Sequence, residues 1–302
     1  MTYPFDSVLV TPAQLHAAVT NPPPRRIIPV AAGRLAAHAQ SYQTHHIPGS
    51  VFFDMDLIRD TTSPYPQMLP SAADFASHIR ALGIQKDDIL VLYDAVDVGI
   101  YSSPRAAWMF RVFGHERVHV LNNFRVYVTQ GFPVATGEFP PPSQRQPPPS
   151  PPEDEYADAA SGLEKGSVIL FEELRDVVLR GGREYQIIDV RIRGRFSGAQ
   201  PEIYPELSSG HMPGAINVPL AAMLDGESSE FLPRERLREV FEGAGVDGTR
   251  PMVLTCNSGV TATALDLALG ELGYKNHRRI YDGSWMEWAR RVDGPGLIVK
   301  DV

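Results

Sequence analysis

This chain of 302 residues has one cysteine, Cys256. A lone thiol excludes an internal disulfide and a cysteine-built metal cluster, and it fits a reducing compartment, cytoplasm or mitochondrion. Positive charge is scarce: 28 Lys and Arg face 36 Asp and Glu, for a net charge of −8. That balance argues against nucleic acid or an anionic membrane surface as the main partner. No apolar run reaches the ~20 residues of a membrane helix. The start, Met1-Thr2-Tyr3-Pro4-Phe5-Asp6, lacks an apolar signal core and an Arg-rich amphipathic presequence. The expectation is a soluble intracellular protein with no membrane partner. Glycine-rich phosphate-loop spacing is also missing, so no metal or organic cofactor is implied.

Proline, by contrast, is abundant and concentrated. Residues Pro140 to Pro152 read PPPSQRQPPPSPP, followed by Glu153-Asp154-Glu155. Such a run forms neither a helix nor a central strand and favours extended polyproline conformations. A ligand for a signalling domain would look similar, but a stiff spacer between domains is the reading preferred here. It divides the chain into residues 1–135, a linker over 136–163, and residues 164–302.

The two halves resemble each other. Ser7-Val8-Leu9-Val10 recurs as Ser167-Val168-Ile169-Leu170, and Ile27-Ile28-Pro29-Val30 as Ile187-Ile188-Asp189-Val190. His46-Ile47-Pro48-Gly49 recurs as His211-Met212-Pro213-Gly214, and Ile89–Asp94 as Met252–Cys256. The order is kept and the spacings nearly so, which marks an internal duplication. Short β-branched runs alternate with helical patterns at Ala73–Leu82, Pro104–Phe113, Phe171–Leu179, Arg234–Glu242 and Val260–Leu272. Gly273 fits the C-terminal stop of the last. This alternation predicts an α/β fold in which each half is a mostly parallel sheet with helices on both faces. Binding chemistry then belongs at the carboxyl ends of strands.

Cys256 falls at such an end, in Val253-Leu254-Thr255-Cys256-Asn257-Ser258-Gly259-Val260-Thr261-Ala262. Loop N–H groups and a helix N-terminus can stabilise a thiolate there. A buried structural cysteine is the competing reading. Asn257, Ser258, Gly259, Val260 and Thr261 can turn consecutive N–H groups toward the sulfur, with Gly259 permitting the required backbone angles. Cysteine phosphatases use a loop of this shape but need an arginine six residues after the cysteine. Ala262 stands there, which argues against that reaction.

The chain resembles the tandem rhodanese-type sulfurtransferases. The resemblance is carried by His46-Ile47-Pro48-Gly49 with Phe52-Phe53-Asp54-Met55-Asp56, then Ser63-Pro64-Tyr65, Tyr101-Ser102-Ser103-Pro104-Arg105 and Trp108-Met109-Phe110-Arg111. It continues through Gly194-Arg195-Phe196, Gly210-His211-Met212-Pro213-Gly214, the Cys256 loop and Tyr281-Asp282-Gly283-Ser284-Trp285. It implies two rhodanese-like domains, with catalysis in the C-terminal one. The first half has Asp94 where the second has Cys256, so it is expected to serve as scaffold and one wall of the cleft.

The resemblance also implies roles. Cys256 would attack the outer sulfur of a small anionic donor and hold it as a persulfide. With no second cysteine to resolve it, the acceptor must be external: cyanide, glutathione or another small thiol, or a protein such as thioredoxin. Arg195 falls where the family grips the donor's anionic end; Arg191 and Arg193 read as surface arginines. Trp285 would form an apolar wall near the thiol, with an ordinary core aromatic as the competing reading. His46 precedes the same turn in the half without a nucleophile, so His46 and His211 read as turn residues. Ser258 matches the loop serine of mercaptopyruvate enzymes, and with Asp56 it belongs to a proton relay whose histidine is here Gln67. The family's second arginine is matched by Tyr204. The neutral Asn257-Ser258 pair favours 3-mercaptopyruvate over thiosulfate as donor. A sulfur-relay carrier and a non-catalytic binding module are the other readings.

Overall fold

The computed structural model describes residues 3–139, 156, 166–182, 184–274 and 277–301. The proline-rich run over 140–152 lies outside the described residues, as does most of the 136–163 linker. The chain forms two compact units. The first comprises residues 1–61, 69–162 and 227–230, the second residues 62–68, 163–226 and 231–302.

The first unit holds five parallel strands: β1 (Leu9–Val10), β2 (Ile27–Gly33), β3 (Val51–Asp54), β4 (Ile89–Tyr93) and β5 (Val118–Leu121). Their order across the sheet is β1-β5-β4-β2-β3. The central strand β4 reads ILVLY and is buried at every position, the continuous apolar run expected where both faces are covered. Flanking it are α1 (Pro12–Thr20), α2 (Leu35–Thr44), α3 (Ala72–Ala81), α4 (Ser103–Val112) and α5 (Phe124–Thr129). Local chemistry sets the start of the first. Before α1, Thr11 and Gln14 form a reciprocal capping box with Pro12 as the first helical residue, which satisfies amides the helix cannot bond internally.

The second unit repeats this plan with β6 (Val168–Ile169), β7 (Gln186–Asp189), β8 (Ile216–Asn217), β9 (Met252–Thr255) and β10 (Arg278–Tyr281). All its strand pairs are parallel, in the order β6-β10-β9-β7-β8. The same permutation occurs in each unit, so the duplication read from sequence is a duplication of topology. The helices are α6 (Phe171–Leu179), α7 (Arg193–Ser197), α8 (Arg234–Gly243), α9 (Ala262–Glu271) and α10 (Ser284–Arg291).

The helix expected over Val260–Leu272 begins two residues later, at Ala262. The delay comes from Gly259 in the left-handed region at φ +80°, which keeps Val260 and Thr261 in the turn. At the other end Gly273 has φ +76°. Its N–H donates to the Gly270 carbonyl, and the Tyr274 N–H donates to that of Leu269. These two bonds make a Schellman stop at the glycine the sequence singles out.

Candidate active site

Strand β9 lies between β10 and β7, and Thr255 is in register with Asp189. The carboxyl ends of β7 and β9 are therefore neighbours, and their loops emerge together: Val190 to Arg191 from one, Cys256 to Thr261 from the other. The Val190 N–H donates to the Thr255 carbonyl at 3.1 Å. This is the sheet edge where parallel α/β folds place their chemistry.

Cys256 is 1% exposed. The start of α10 holds its backbone. The Cys256 N–H donates to Ser284 Oγ at 3.1 Å, and the Trp285 N–H donates to the Cys256 carbonyl at 3.0 Å. The Met286 N–H donates to the Asn257 carbonyl at 3.0 Å. The Ser284 hydroxyl donates to the Tyr281 carbonyl at 2.8 Å and lies 3.9 Å from Cys256 Sγ. Ser284 adopts φ +49°, a left-handed conformation costing a non-glycine residue about 1–2 kcal/mol. Sequence reasoning assigned it no role, although it stands inside the Tyr281–Trp285 motif.

Around the sulfur, Gly259 and Val260 are buried while Asn257, Ser258 and Thr261 are half-buried. Thr261 is the N-cap of α9 and its side chain makes no capping bond. The first unit shows what fills the matching place there. The Asp94 carboxylate accepts the N–H groups of Tyr101, Ser102 and Ser103 at 3.0, 2.6 and 3.1 Å, and the Ser103 hydroxyl at 2.5 Å. A resident anion thus occupies the amides before α4, and burial pushes its pKa up. In the second unit the corresponding position, one residue past β9 as Asp94 is one residue past β4, carries Cys256.

The arginines on the neighbouring loop divide differently from the sequence expectation. Arg191, read as a surface residue, is a buried one, with its side chain 3% exposed. Its Nε and Nη2 donate to Asp189, with Nη2 to Oδ2 at 2.6 Å. Nη1 donates to Glu202 Oε1 at 2.8 Å, and Nη2 also reaches the Gly210 carbonyl at 2.7 Å. The guanidinium carbon sits 4.0 Å from the centroid of the Trp285 ring. Two carboxylates and an aromatic face compensate its desolvation. Trp285 itself is fully buried and donates from Nε1 to the Ser208 carbonyl at 2.9 Å. Arg193 is exposed and pairs with Asp301 at 3.1 Å, as a surface arginine would. Arg195 is 27% exposed, with Nε 4.0 Å from Glu202 Oε2. Burial pushes the pKa of Glu202 up, against the lowering effect of Arg191 and Arg195.

Tyr204, matched to the family's second arginine, is 40% exposed. The Arg290 guanidinium lies 6.0 Å from its ring centroid. Asp56 belongs to the first unit, where Arg34 Nε bonds both its oxygens at 2.9 and 3.0 Å. His46 and His211 each bind a backbone carbonyl through Nδ1, those of Tyr42 and Phe196 respectively, both at 2.9 Å. His211 also stacks on Phe196 with centroids 4.1 Å apart. The second unit therefore brings together Cys256, its loop through Thr261, Ser284 and Trp285, and places Arg195 in the short helix α7 that follows β7.

Comparison with known proteins gives a consistent picture. The rhodanese-like domain family matches residues 172–291. The chain is 38% identical to rat 3-mercaptopyruvate sulfurtransferase over 260 residues, 86% of this chain and 82% of that protein. It is 40% identical to rat thiosulfate sulfurtransferase over 257 residues, 84% and 80% of the two. Among solved structures it resembles the Tum1 protein of Saccharomyces cerevisiae, with TM-score 0.84, 32% identity and 98% of each chain covered.

Proposed function

This chain belongs to the tandem rhodanese family of sulfurtransferases, and from that membership we propose that it carries sulfur from 3-mercaptopyruvate, through a persulfide on Cys256, to an external thiol. The observation that carries the reading is the contrast between the units. Where a carboxylate, Asp94, fills its own amide cradle in the first unit, the same position in the second carries the buried thiol of Cys256.

The Cys256 thiolate attacks the donor sulfur while Arg195 holds the donor carboxylate in a two-pronged, charge-assisted contact. The donor's carbon–sulfur bond breaks and its electron pair passes to carbon as an enolate. That enolate takes up the proton carried by the donor thiol, and pyruvate leaves. Loop N–H groups from Asn257 to Thr261 stabilise the terminal sulfur of the persulfide, and Ser258 faces the leaving enolate. Trp285 shields the sulfur. An acceptor thiol then attacks the outer sulfur and restores the Cys256 thiolate. Thioredoxin or glutathione suits that role in a reducing compartment, since the chain holds no second cysteine.

Thiosulfate is the second reading, favoured by the 40% identity to a thiosulfate sulfurtransferase and by tyrosine at position 204. The neutral pair Asn257-Ser258 weighs against it, because a dianion gains from a positive charge beside the sulfur. Intact mass after exposure to each donor tests the shared first step. One added sulfur atom is expected on the wild type and none on Cys256→Ser. Addition to a folded Cys256→Ser protein would refute Cys256 as the sulfur carrier.

A further inference from the structure

Glu202 belongs to the buried charge group around Arg191, and no step above uses it. Its side chain is 1% exposed. One oxygen, Oε1, accepts from Arg191 Nη1 at 2.8 Å. The other, Oε2, has no hydrogen-bond partner and faces Arg195 Nε from 4.0 Å. A buried carboxylate oxygen without a partner is costly, and such atoms call for an explanation. Stability would be served better by full pairing, so the geometry points to an electrostatic role directed at Arg195.

We propose that Glu202 is a specificity-determining residue: its fixed negative charge cancels the net positive charge of the donor site and so favours singly charged donors over doubly charged ones. The charges are Asp189 and Glu202, both negative, against Arg191 and Arg195, both positive. They sum to zero. Arg191 and Arg195 both draw Glu202 toward its charged form, against the opposing effect of burial, and Arg191 is already committed to Asp189, Glu202 and the Gly210 carbonyl. Arg195 alone remains for the donor, and Glu202 stands at its Nε side, which directs the incoming anion to the two terminal nitrogens. In a neutral site a second negative charge on the donor gains nothing further from the local field. With Glu202 uncharged the group would carry one net positive charge, and a dianion would gain about twice what a monoanion gains. Glu202 thus acts on donor choice from behind the arginine, independently of the Cys256 loop.

The proposal rests on the reading of Arg195 as the donor-binding group, and the test separates the two. Steady-state rates with 3-mercaptopyruvate and thiosulfate are measured side by side for wild type, Glu202→Gln, Glu202→Asp and Arg195→Leu. Gln is isosteric and keeps the acceptor for Arg191. It should raise the thiosulfate-to-mercaptopyruvate ratio of kcat/KM by about tenfold. Asp draws the charge back by one methylene and should move the ratio the same way by about threefold. A merely structural role would lower both donors together and leave the ratio in place. If Arg195→Leu cripples both donors while neither Glu202 variant moves the ratio, the specificity proposal fails alone. If Arg195→Leu changes both donors by less than about threefold, the donor reading of Arg195 fails and takes the proposal with it.

Discussion

Replacing Ser284 with alanine should damage both the stability of the second unit and the reactivity of its thiol. The Ser284 oxygen is the acceptor for the buried Cys256 N–H, at 3.1 Å, and its hydrogen goes to the Tyr281 carbonyl at 2.8 Å. Alanine leaves that N–H without its acceptor, a loss of about 1–3 kcal/mol. The left-handed strain at φ +49° is shared by Ser and Ala and cancels in the comparison. Glycine removes the same oxygen but also relieves about 1–2 kcal/mol of strain, offset by roughly 0.5–1 kcal/mol of lost chain entropy. Ser284→Gly should therefore be no less stable than Ser284→Ala. The hydroxyl also lies 3.9 Å from Sγ, within reach of turning to an anionic sulfur. A hydrogen bond to a charged group contributes about 1.5–3 kcal/mol, so single-turnover persulfide formation should slow by roughly 10- to 100-fold in both variants. Urea unfolding followed by tryptophan fluorescence reports on the unit, since Trp285 and Trp288 are two of the three tryptophans. A Ser284→Ala protein within about 0.5 kcal/mol of wild type, with a rate within threefold, would refute this account of the loop.

Arg191→Met strands two buried carboxylates and should destabilise the second unit by about 3–5 kcal/mol in the same urea assay. Arg193→Met, at an exposed pair, should change stability by no more than about 0.5 kcal/mol, and equal effects would overturn the burial argument. Ser258→Lys adds a charge beside the sulfur and should shift the kcat/KM ratio toward thiosulfate by at least about tenfold; an unchanged ratio would remove the neutral loop as a reason for preferring mercaptopyruvate. Burial lowers the pKa of His115 from 6.5 to about 4. The unfolded chain therefore binds a proton that the folded unit refuses, and the first unit should lose about 3 kcal/mol as pH falls from 6.5 to about 4. His115→Gln should flatten that slope in urea titrations at several pH values; a slope equal to wild type would place the acid sensitivity elsewhere.

The fold was legible because its signals are local. Strands buried on both faces must be continuous apolar runs, so ILVLY in β4 and MVLT in β9 announce themselves, and Gly273 marks a helix end through its own backbone freedom. Cys256 was legible as well, being the sole thiol and standing at a strand-to-helix turn. The arginines were not. Arg191, Arg193 and Arg195 are spaced alike, and nothing local distinguishes a buried member from an exposed one.

Tertiary contact made the distinction. Arg191 is buried because Asp189, Glu202 and the face of Trp285 converge on it from three different segments. A buried guanidinium persists only where such partners offset its desolvation. Ser284 likewise acquires its position from a neighbour 28 residues away. Sequence by itself determined the duplicated parallel sheets and the placing of the lone cysteine at a strand-to-helix turn, because propensity and periodicity act over a few residues. Which charges are buried, which arginine stays partly exposed and which hydroxyl holds the Cys256 backbone depend on distant segments meeting at one sheet edge. The energies of those meetings belong to pairs of residues that no local pattern contains.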